Sequence, residues 1–374
     1  MRGGLPAARD EEDGDGGKGP AAFLGSDGLI AARDAPIGGQ AVLEGVMMRG
    51  VANWAVAVRV GARDDRGGKN AEGRQGDRTI EVSCFTLEAG PLAQKALRLP
   101  LIRGVAALWG SLAIGLKALG ISANAQLREQ ERGAATLSAD GRQRNSDGEA
   151  PRGEAGQITG AVWAGTLLVG LAFAIALFFL LPLGLSSLLR WRHEDSVLFW
   201  LIEGLLRIAI FLGYLLVISG IRDLRGLFEY HGAEHKTISC FEAGVPLLPE
   251  NAQRFSRLHP RCGTSFLLVV MLVSILVFGA VGTQAWYLLV LSRILLLPLI
   301  VGVSFEVVKL AGRHRKRAWV RAVMWPGLKL QLLTTREPDL QELEVAIAAL
   351  KAVLEHEDLH RLSLDDLVGV EVVA

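Results

Sequence analysis

Four long apolar runs limit the folds that this chain can adopt. They cover residues 158–189, 197–220, 264–283 and 285–309. Each meets the threshold of roughly 18 residues that a helix needs to cross the apolar part of a bilayer. A buried core helix would explain any one run, but it is a poor explanation of four. The sequence therefore predicts an α-helical polytopic membrane protein with about four transmembrane helices.

The composition agrees with this prediction. Half of the residues are hydrophobic although 21% are charged, which fits a chain whose polar segments alternate with membrane spans. Before the spans, residues 53–60 and 79–86 alternate in polarity and predict two strands of a small mixed α/β cytosolic domain. Residues 100–121 are apolar, but their uncharged part, 104–116, is shorter than a span. We predict an interfacial or re-entrant helix there.

The polar segments divide the rest of the chain. Residues 1–34 and 128–157 are Gly-rich and charged, which favours disorder, and residues 337–355 have the periodicity of an amphipathic helix. The expected division is a disordered N-terminus (1–34), a cytosolic α/β region ending in the interfacial helix (35–127), a disordered insertion (128–157), two spans (158–220), a cytosolic His/Cys loop (221–263), two more spans (264–310) and a cytosolic C-terminal tail (311–374).

Basic residues indicate the orientation. They gather in 221–262 and again in 313–321, whereas 190–196 contains only Arg190 and Arg192. Because loops rich in Lys and Arg stay in the cytoplasm, both termini and the His/Cys loop are expected on that side. Three cysteines are too few for a disulfide framework and favour a reducing compartment. The net charge of +1 gives no reason to expect nucleic-acid binding.

The His/Cys loop contains the residues that most resemble a chemical site. His231, Glu234 and His235 form a His-x-x-Glu-His motif, in which residues four apart share one helix face. The same order occurs in inverted zinc peptidases, where two histidines bind metal and the glutamate acts on water. His259 and Cys262 follow in a predicted turn, and thiolate with imidazole favours zinc. We predict a zinc site with ligands His231, His235, His259 and Cys262 and with Glu234 as acid/base.

Two alternatives remain open at this point. Histidines at a membrane surface often form hydrogen bonds only to backbone or lipid headgroups.

Charges within the spans form a second group: Glu203 and Arg207 are four residues apart, Arg293 lies inside the last run and Glu306 lies near its end. Charged groups in lipid are costly, so they should face inward. A structural ion pair explains them at least as well as contact with a substrate.

Several blocks of sequence resemble a known family. They are GGQAVLEGVMMRG at 38–50, IRG at 102–104, FEYHGAEHKTISCFE at 228–242, HPRCGTSF at 259–266, SRILLLPLIVGVSFEVVKLAG at 292–312 and PGLKLQLLTTREPDLQELEVAIAAL at 326–350. On these blocks the chain resembles, over about 37–355, the YqhQ-like family (DUF1385) of uncharacterised bacterial membrane proteins predicted to be metal-dependent. The resemblance implies a multi-pass protein of the bacterial inner (plasma) membrane and no specific reaction. The site residues that it implies are Gln40, Glu44, Arg49, His231, Glu234, His235, Lys236, His259, Arg261, Cys262 and Glu306.

Three functions are consistent with these observations. The first is a zinc-dependent enzyme at the cytosolic membrane face, with Glu234 and Glu44 as catalytic carboxylates. The second is a non-enzymatic scaffold or assembly factor with a structural metal or a polar cluster, and the weakest is a small-solute transporter. Substrate-binding or structural roles are expected of Gln40, Arg49, Lys236, Arg261, Arg293 and Glu306. The expected partner is the lipid bilayer, and a homo-oligomer is left open.

Overall fold

The computed structural model describes residues 23–25, 28–30, 37–61, 79–87, 99–140, 160–189, 196–260, 262–281, 286–314 and 317–357. The strands are β1 (Phe23–Gly25), β2 (Gly28–Ile30), β3 (Gly38–Val42), β4 (Gly45–Arg49), β5 (Asn53–Val60) and β6 (Thr79–Thr86). The helices are α1 (Ile102–Asp140), α2 (Gly160–Ile175), α3 (Leu181–Leu189), α4 (Ser196–Gly220), α5 (Arg225–Glu242), α6 (Pro249–Ala252), α7 (Gly263–Val281), α8 (Trp286–Leu295), α9 (Leu297–Arg313), α10 (Ala318–Thr334) and α11 (Leu340–His356).

Four helical segments of the described chain are long and apolar enough to cross a membrane. They are Ile102–Arg132, Ala164–Leu188, Phe199–Gly220 and Gly263–Val281. Large apolar side chains stand exposed along them, such as Val169 at 71% and Leu276 at 73% of their full exposure. A contiguous apolar surface of this kind indicates contact with lipid. The prediction of an α-helical polytopic membrane protein with about four spans is confirmed.

The four segments are not the four apolar runs of the sequence. The run 285–309 is divided at Leu296 into α8 and α9, which are 10 and 17 residues long and therefore shorter than the roughly 18 to 20 residues of a single straight span. Pro298 explains the division, because proline has no N–H and its ring crowds the carbonyl one turn earlier. Only Leu296 N to Ser292 O and Ile300 N to Leu296 O bridge the break, at 3.0 and 2.9 Å.

Helix α1 differs from the short interfacial helix predicted at 100–121. It is 39 residues long, so the predicted disorder is wrong for 128–140, and 141–157 lie outside the described residues. The prediction ended the helix at residue 121, with Lys117 near that end, but the Lys117 side chain points outward. Ile114, Ala118, Ile121 and Ala125 continue the apolar face and pack on the sheet, as helical periodicity requires.

The small domain is built on one antiparallel sheet. Its strand order is β3-β4-β5-β6, which confirms the two strands predicted at 53–60 and 79–86. Met47 and Val56 are paired neighbours whose side chains face α1, whereas Met48 and Ala57 face α5 and α11. Since successive side chains of a strand point to opposite faces, the sheet is covered on both sides. Helix α5 therefore lies against the sheet instead of in an open loop.

Two further regions differ from the predicted division. The segment 221–263, predicted as a loop, is mostly helix α5 with the short helix α6. The strands β1 and β2 pair within the N-terminus predicted to be disordered, and the rest of 1–34 lies outside the described residues. The amphipathic helix predicted at 337–355 is α11. It is a core element, because Leu343, Leu350 and Val353 are fully buried against the sheet and α5.

Three of the charges within the apolar runs, those of Glu203, Arg207 and Arg293, form one buried network. Glu203 on α4 accepts from Arg207 Nη2 and from Arg293 Nη2, both at 2.6 Å. Arg207 Nε donates to the carbonyl of Phe178 at 3.1 Å, in the π-helical turn Ala176–Leu180 that joins α2 to α3. The Phe278 ring lies 5.1 Å from one guanidinium and 4.1 Å from the other. This arrangement agrees with a structural role for these charges, because each of the three side chains connects neighbouring helical segments.

Candidate metal centre

Helix α5 brings the two histidines of the motif together. His231 and His235 are one turn apart, and their ring centroids are 4.5 Å apart. The helix can lie deep in the domain because Gly232 has no side chain: a Cβ there would come within 2.1 Å of the Arg336 carbonyl oxygen. The same helix buries Glu234, which is 2% exposed. A helix that buries this many polar groups is more typical of a functional site than of a helix that only contributes to the hydrophobic core.

Cys262 reaches the two histidines from the start of helix α7. Its Sγ lies 3.4 Å from His231 Nε2 and 3.2 Å from Thr264 Oγ1. One ligand atom from each of His231, His235 and Cys262 lies within 4.8 Å of the other two. Cys262 immediately precedes α7, and the positive end of a helix dipole stabilises a thiolate. The span that begins at Gly263 therefore fixes the thiol at the membrane end of the site.

The second ring nitrogens of both histidines are held by backbone carbonyls. His231 Nδ1 donates to Thr334 O at 2.8 Å, and His235 Nδ1 donates to Arg257 O at 2.6 Å. A carbonyl only accepts, so each Nδ1 carries a proton, and in the neutral ring the lone pair is then on Nε2. The Nε2 of His235 is buried without a hydrogen-bond partner. Metal-binding histidines are oriented in this way, so these residues fit a metal ion.

Electrostatics favour the ligand forms of these groups. Burial lowers the pKa of His235, which keeps its ring neutral at pH 7. Burial by itself raises the pKa of the Cys262 thiol, but the adjacent His235 ring and Thr264 outweigh this and leave the pKa below its ordinary value. Metals bind neutral imidazole and thiolate. Because the pKa shifts already favour these forms, fewer protons must be released when a metal binds at this site.

Glu234 lies beside the three ligands with one free oxygen. Its Oε2 is buried and has no hydrogen-bond partner. Burial raises the pKa of Glu234 to about 8; the nearby His231 opposes this shift and Cys262 adds to it. The carboxyl group rests on the backbone of Gly39, where a Cβ would lie 2.8 Å from Glu234 Cδ. Gly39 is therefore the residue of the sheet that makes room for this carboxyl group.

A cleft opens on the other side of Gly39, between the sheet and α1. It encloses about 290 Å³ of empty space, its open mouth included, and is lined by Gly38, Gly39, Gln40, Met47, Arg49, Ser111 and Ile114. We call it the Arg49 cleft. Gln40 and Arg49, which the resemblance implies as site residues, thus meet at one place beside Glu234.

The fourth predicted ligand, His259, lies next to this group and not in it. Its ring centroid is 5.7 Å from that of His235, and its Nε2 lies 3.4 Å from Glu242 Oε2. Gln331 holds the backbone of His259 on both sides, accepting from its N at 2.8 Å and donating to its O at 2.7 Å. Burial lowers the pKa of His259 to about 4. Three of the four predicted ligands are therefore brought together.

Glu44 and Lys236 have structural partners instead. Glu44 lies in the β3–β4 turn with φ of 50° and pairs with Arg59 at 2.6 Å. Lys236 donates to the carbonyls of Gln253 and Phe255, both at 2.8 Å. These contacts are with residues other than the three grouped ligands, and the catalytic role of Glu44 stays a prediction. They explain the two polar residues as supports of the β3–β4 turn and of the segment after α6.

Glu306 and Arg261 complete the set of predicted polar residues. Glu306 on α9 pairs with Arg103 and accepts from Leu101 N, which ties the start of α1 to α9. Arg261 lies outside the described residues. Sequence reasoning missed Ser111 and Thr264, which lie at the Arg49 cleft and beside the thiol; hydroxyl residues within apolar helices give too weak a pattern to be singled out.

Comparisons with known proteins identify a family and a relative of this chain. The family described as "Protein of unknown function (DUF1385)" matches residues 99–356, which include all three grouped ligands. The chain is 33% identical over 334 residues to "Uncharacterized protein YqhQ" of Bacillus subtilis (strain 168), covering 86% of this chain and 93% of the relative. No solved structure matches. The chain belongs to the DUF1385 family.

Proposed function

We propose that the protein is a zinc-dependent hydrolase that acts at the membrane surface. The observation that carries the proposal is the group of His231, His235 and Cys262, whose ligand atoms lie within 4.8 Å of one another. Two imidazole nitrogens and one thiolate suit zinc better than magnesium or calcium, which prefer oxygen ligands. The two Nδ1–carbonyl bonds support the proposal, since they leave the Nε2 atom of each ring on the side of Cys262 as the possible ligand atom.

The number of ligands favours a catalytic site. Catalytic zinc sites use three protein ligands and leave one position for water or substrate, whereas structural sites use four. Zinc bound by these residues would supply Lewis acidity and lower the pKa of water to about 7. Glu234 is the acid/base of the proposal, because its free Oε2 can hold and move a proton beside the ligands.

We infer that this site faces the cytoplasm. The basic residues of 221–262 and 313–321 support that orientation through the positive-inside rule, and Cys262 directly precedes the span α7. Reporter enzymes fused at Glu194 and at Glu250 are expected to give opposite sides, with Glu250 in the cytoplasm. The same side for both, or Glu250 outside, would contradict the inference.

A scaffold with a structural zinc is the second candidate. It is favoured by one observation, the His259 ring at 5.7 Å from His235. Movement of His259 toward the group would supply a fourth ligand and close the site. Under this alternative, His259→Ala weakens zinc binding as much as loss of any other ligand. Under the hydrolase proposal, His259→Ala retains zinc.

Cobalt substitution tests the open position directly. Co²⁺ in a site with a thiolate ligand gives visible absorption bands that report its coordination. If the site is open, azide is expected to change those bands in the wild type and in Glu234→Gln, which keeps all three ligands. Bands that azide leaves unchanged would contradict the hydrolase proposal and favour the scaffold. In a cellular assay, Glu234→Gln should lose function with its zinc retained, and full function would contradict the role of Glu234.

A further inference from the structure

Arg49 has hydrogen-bonding capacity that the protein does not use. Its Nη1 donates to Ser111 Oγ at 2.6 Å, but its Nε is buried without a partner. Among the described residues no carboxylate lies within ion-pair distance of Arg49, whereas Arg59 and Arg103 both have one. A guanidinium has five N–H donors, and a buried polar group without a partner is unfavourable. The Arg49 cleft therefore provides a positive charge that no carboxylate of the described residues neutralises.

The position of the cleft relates it to the candidate metal centre. Only the Gly39 backbone separates it from the Glu234 carboxyl group. Gln40 lines the cleft from β3, and its amide packs so tightly on α1 that a Cβ at Gly115 would lie 2.1 Å from Gln40 Oε1. Because β3 is the edge strand of the sheet, a ligand held by Arg49 that continues around this edge would bring its remainder toward Glu234.

The surroundings of the cleft indicate where its ligand comes from. Ser111 lies on α1 between Trp109 and Leu112, which are 73% and 54% exposed. Large exposed apolar side chains on a span-length helix face lipid. The cleft therefore opens at a helix that has one side on the sheet and another toward the bilayer, and an amphipathic ligand could reach it with its polar end.

We propose that the Arg49 cleft binds a phosphate group of the substrate and thereby positions the substrate for the metal centre. The inference rests on the proposed function. The planar fork of Arg49 can donate two parallel hydrogen bonds to phosphate oxygens. The Gln40 amide adds a donor, and Ser111 is a positioning residue that holds the guanidinium. The phosphate belongs either to a lipid headgroup or to a soluble phosphoester.

Binding measurements on the full chain in maltoside micelles separate these sources. The first probe is inorganic phosphate, and the second is phosphatidylglycerol, which is compared with diacylglycerol because diacylglycerol has no phosphate. Binding of each probe is measured as the shift in the unfolding temperature of the protein. We expect Arg49→Ala to weaken binding by about tenfold or more, because hydrogen bonds to charged groups contribute strongly to affinity. Ser111→Ala should weaken it less. The control is Arg225→Ala, which removes the same charge from a side chain that is 65% exposed and should bind as the wild type does.

The outcomes distinguish this inference from the proposed function. Loss of phosphate binding in Arg49→Ala with zinc retained supports both the phosphate-binding cleft and the zinc-dependent hydrolase. Loss of binding in Arg49→Ala when the wild type holds no zinc supports the cleft and contradicts the hydrolase. If Arg49 matters for phosphatidylglycerol but inorganic phosphate does not bind, the source is the lipid headgroup.

Three results would overturn the inference. They are binding unchanged in Arg49→Ala, no binding of either phosphate probe to the wild type, and phosphate binding that depends on His235 but not on Arg49. If Arg49→Ala fails to fold, Arg49→Lys keeps the charge without the planar fork. It should then lose part of the affinity, and wild-type affinity in both Arg49→Lys and Ser111→Ala would refute the role of the guanidinium.

Discussion

Replacing His235 with alanine, or Cys262 with serine, is expected to reduce the zinc content of the purified protein to less than about a tenth of an ion per chain. Loss of a partner that merely orients a ligand typically weakens metal affinity by roughly 10- to 100-fold, and loss of the ligand itself should weaken it more. With three protein ligands, each deletion leaves only two. Elemental analysis of protein purified in detergent and dialysed against a weak chelator measures the effect.

Two residues of the same chain provide matched controls. His356 also donates from Nδ1 to a backbone carbonyl, that of Ala352 at 2.9 Å, but it is exposed on α11. Cys240 is buried, and burial raises the pKa of its thiol to about 11, so it stays protonated. His356→Ala and Cys240→Ser should keep wild-type zinc. Zinc that survives both His235→Ala and Cys262→Ser would refute the assignment of the ligands.

Replacing Glu203 with glutamine is expected to destabilise the membrane helices by about 3 to 5 kcal/mol, the usual effect of removing one partner from a buried ion pair. Glu203 is the carboxylate that both Arg207 and Arg293 contact, and all three side chains are at most 4% exposed. Without its charge, two guanidiniums remain buried in an apolar bundle with only hydroxyl, carbonyl and aromatic contacts. Denaturant titration in micelles, followed by the circular dichroism of the helices, measures the loss.

The pair of Glu306 and Arg103 is the control for this prediction. The same change, Glu306→Gln, removes a carboxylate whose side chain is 29% exposed from an arginine that is 20% exposed. Exposed ion pairs typically contribute about 0 to 1 kcal/mol. Similar losses in Glu203→Gln and Glu306→Gln would show that burial of the network does not determine its contribution.

The elements with a strong local pattern could be predicted from the sequence. The alternation at 53–60 and 79–86 predicted strands β5 and β6, the periodicity at 337–355 predicted helix α11, and the apolar runs predicted most of the spans. The spacing of His231 and His235 placed their rings on one helix face, and this held because α5 is a helix. Helix α1 was underestimated because Lys117 suggested an end, although a single outward-facing charge does not interrupt an apolar face.

The site itself depended on contacts that the sequence does not encode locally. The histidines are oriented by the carbonyls of Thr334 and Arg257, and every residue has a carbonyl. His259 is three residues before Cys262, so the two were expected to bind together. The clamp by Gln331 from α10 instead leaves the His259 ring near Glu242. These contacts join residues far apart in the chain, so only the tertiary structure could reveal them.

X-ray absorption at the zinc edge, with elemental analysis of the same wild-type protein, tests the central claim most directly. Ligation by His231, His235 and Cys262 predicts one zinc per chain with a single sulfur at about 2.3 Å, two imidazole nitrogens at about 2.0–2.1 Å and one further light atom. Protein that binds no stoichiometric zinc when supplied with it, or a bound ion without a sulfur ligand, would contradict the account.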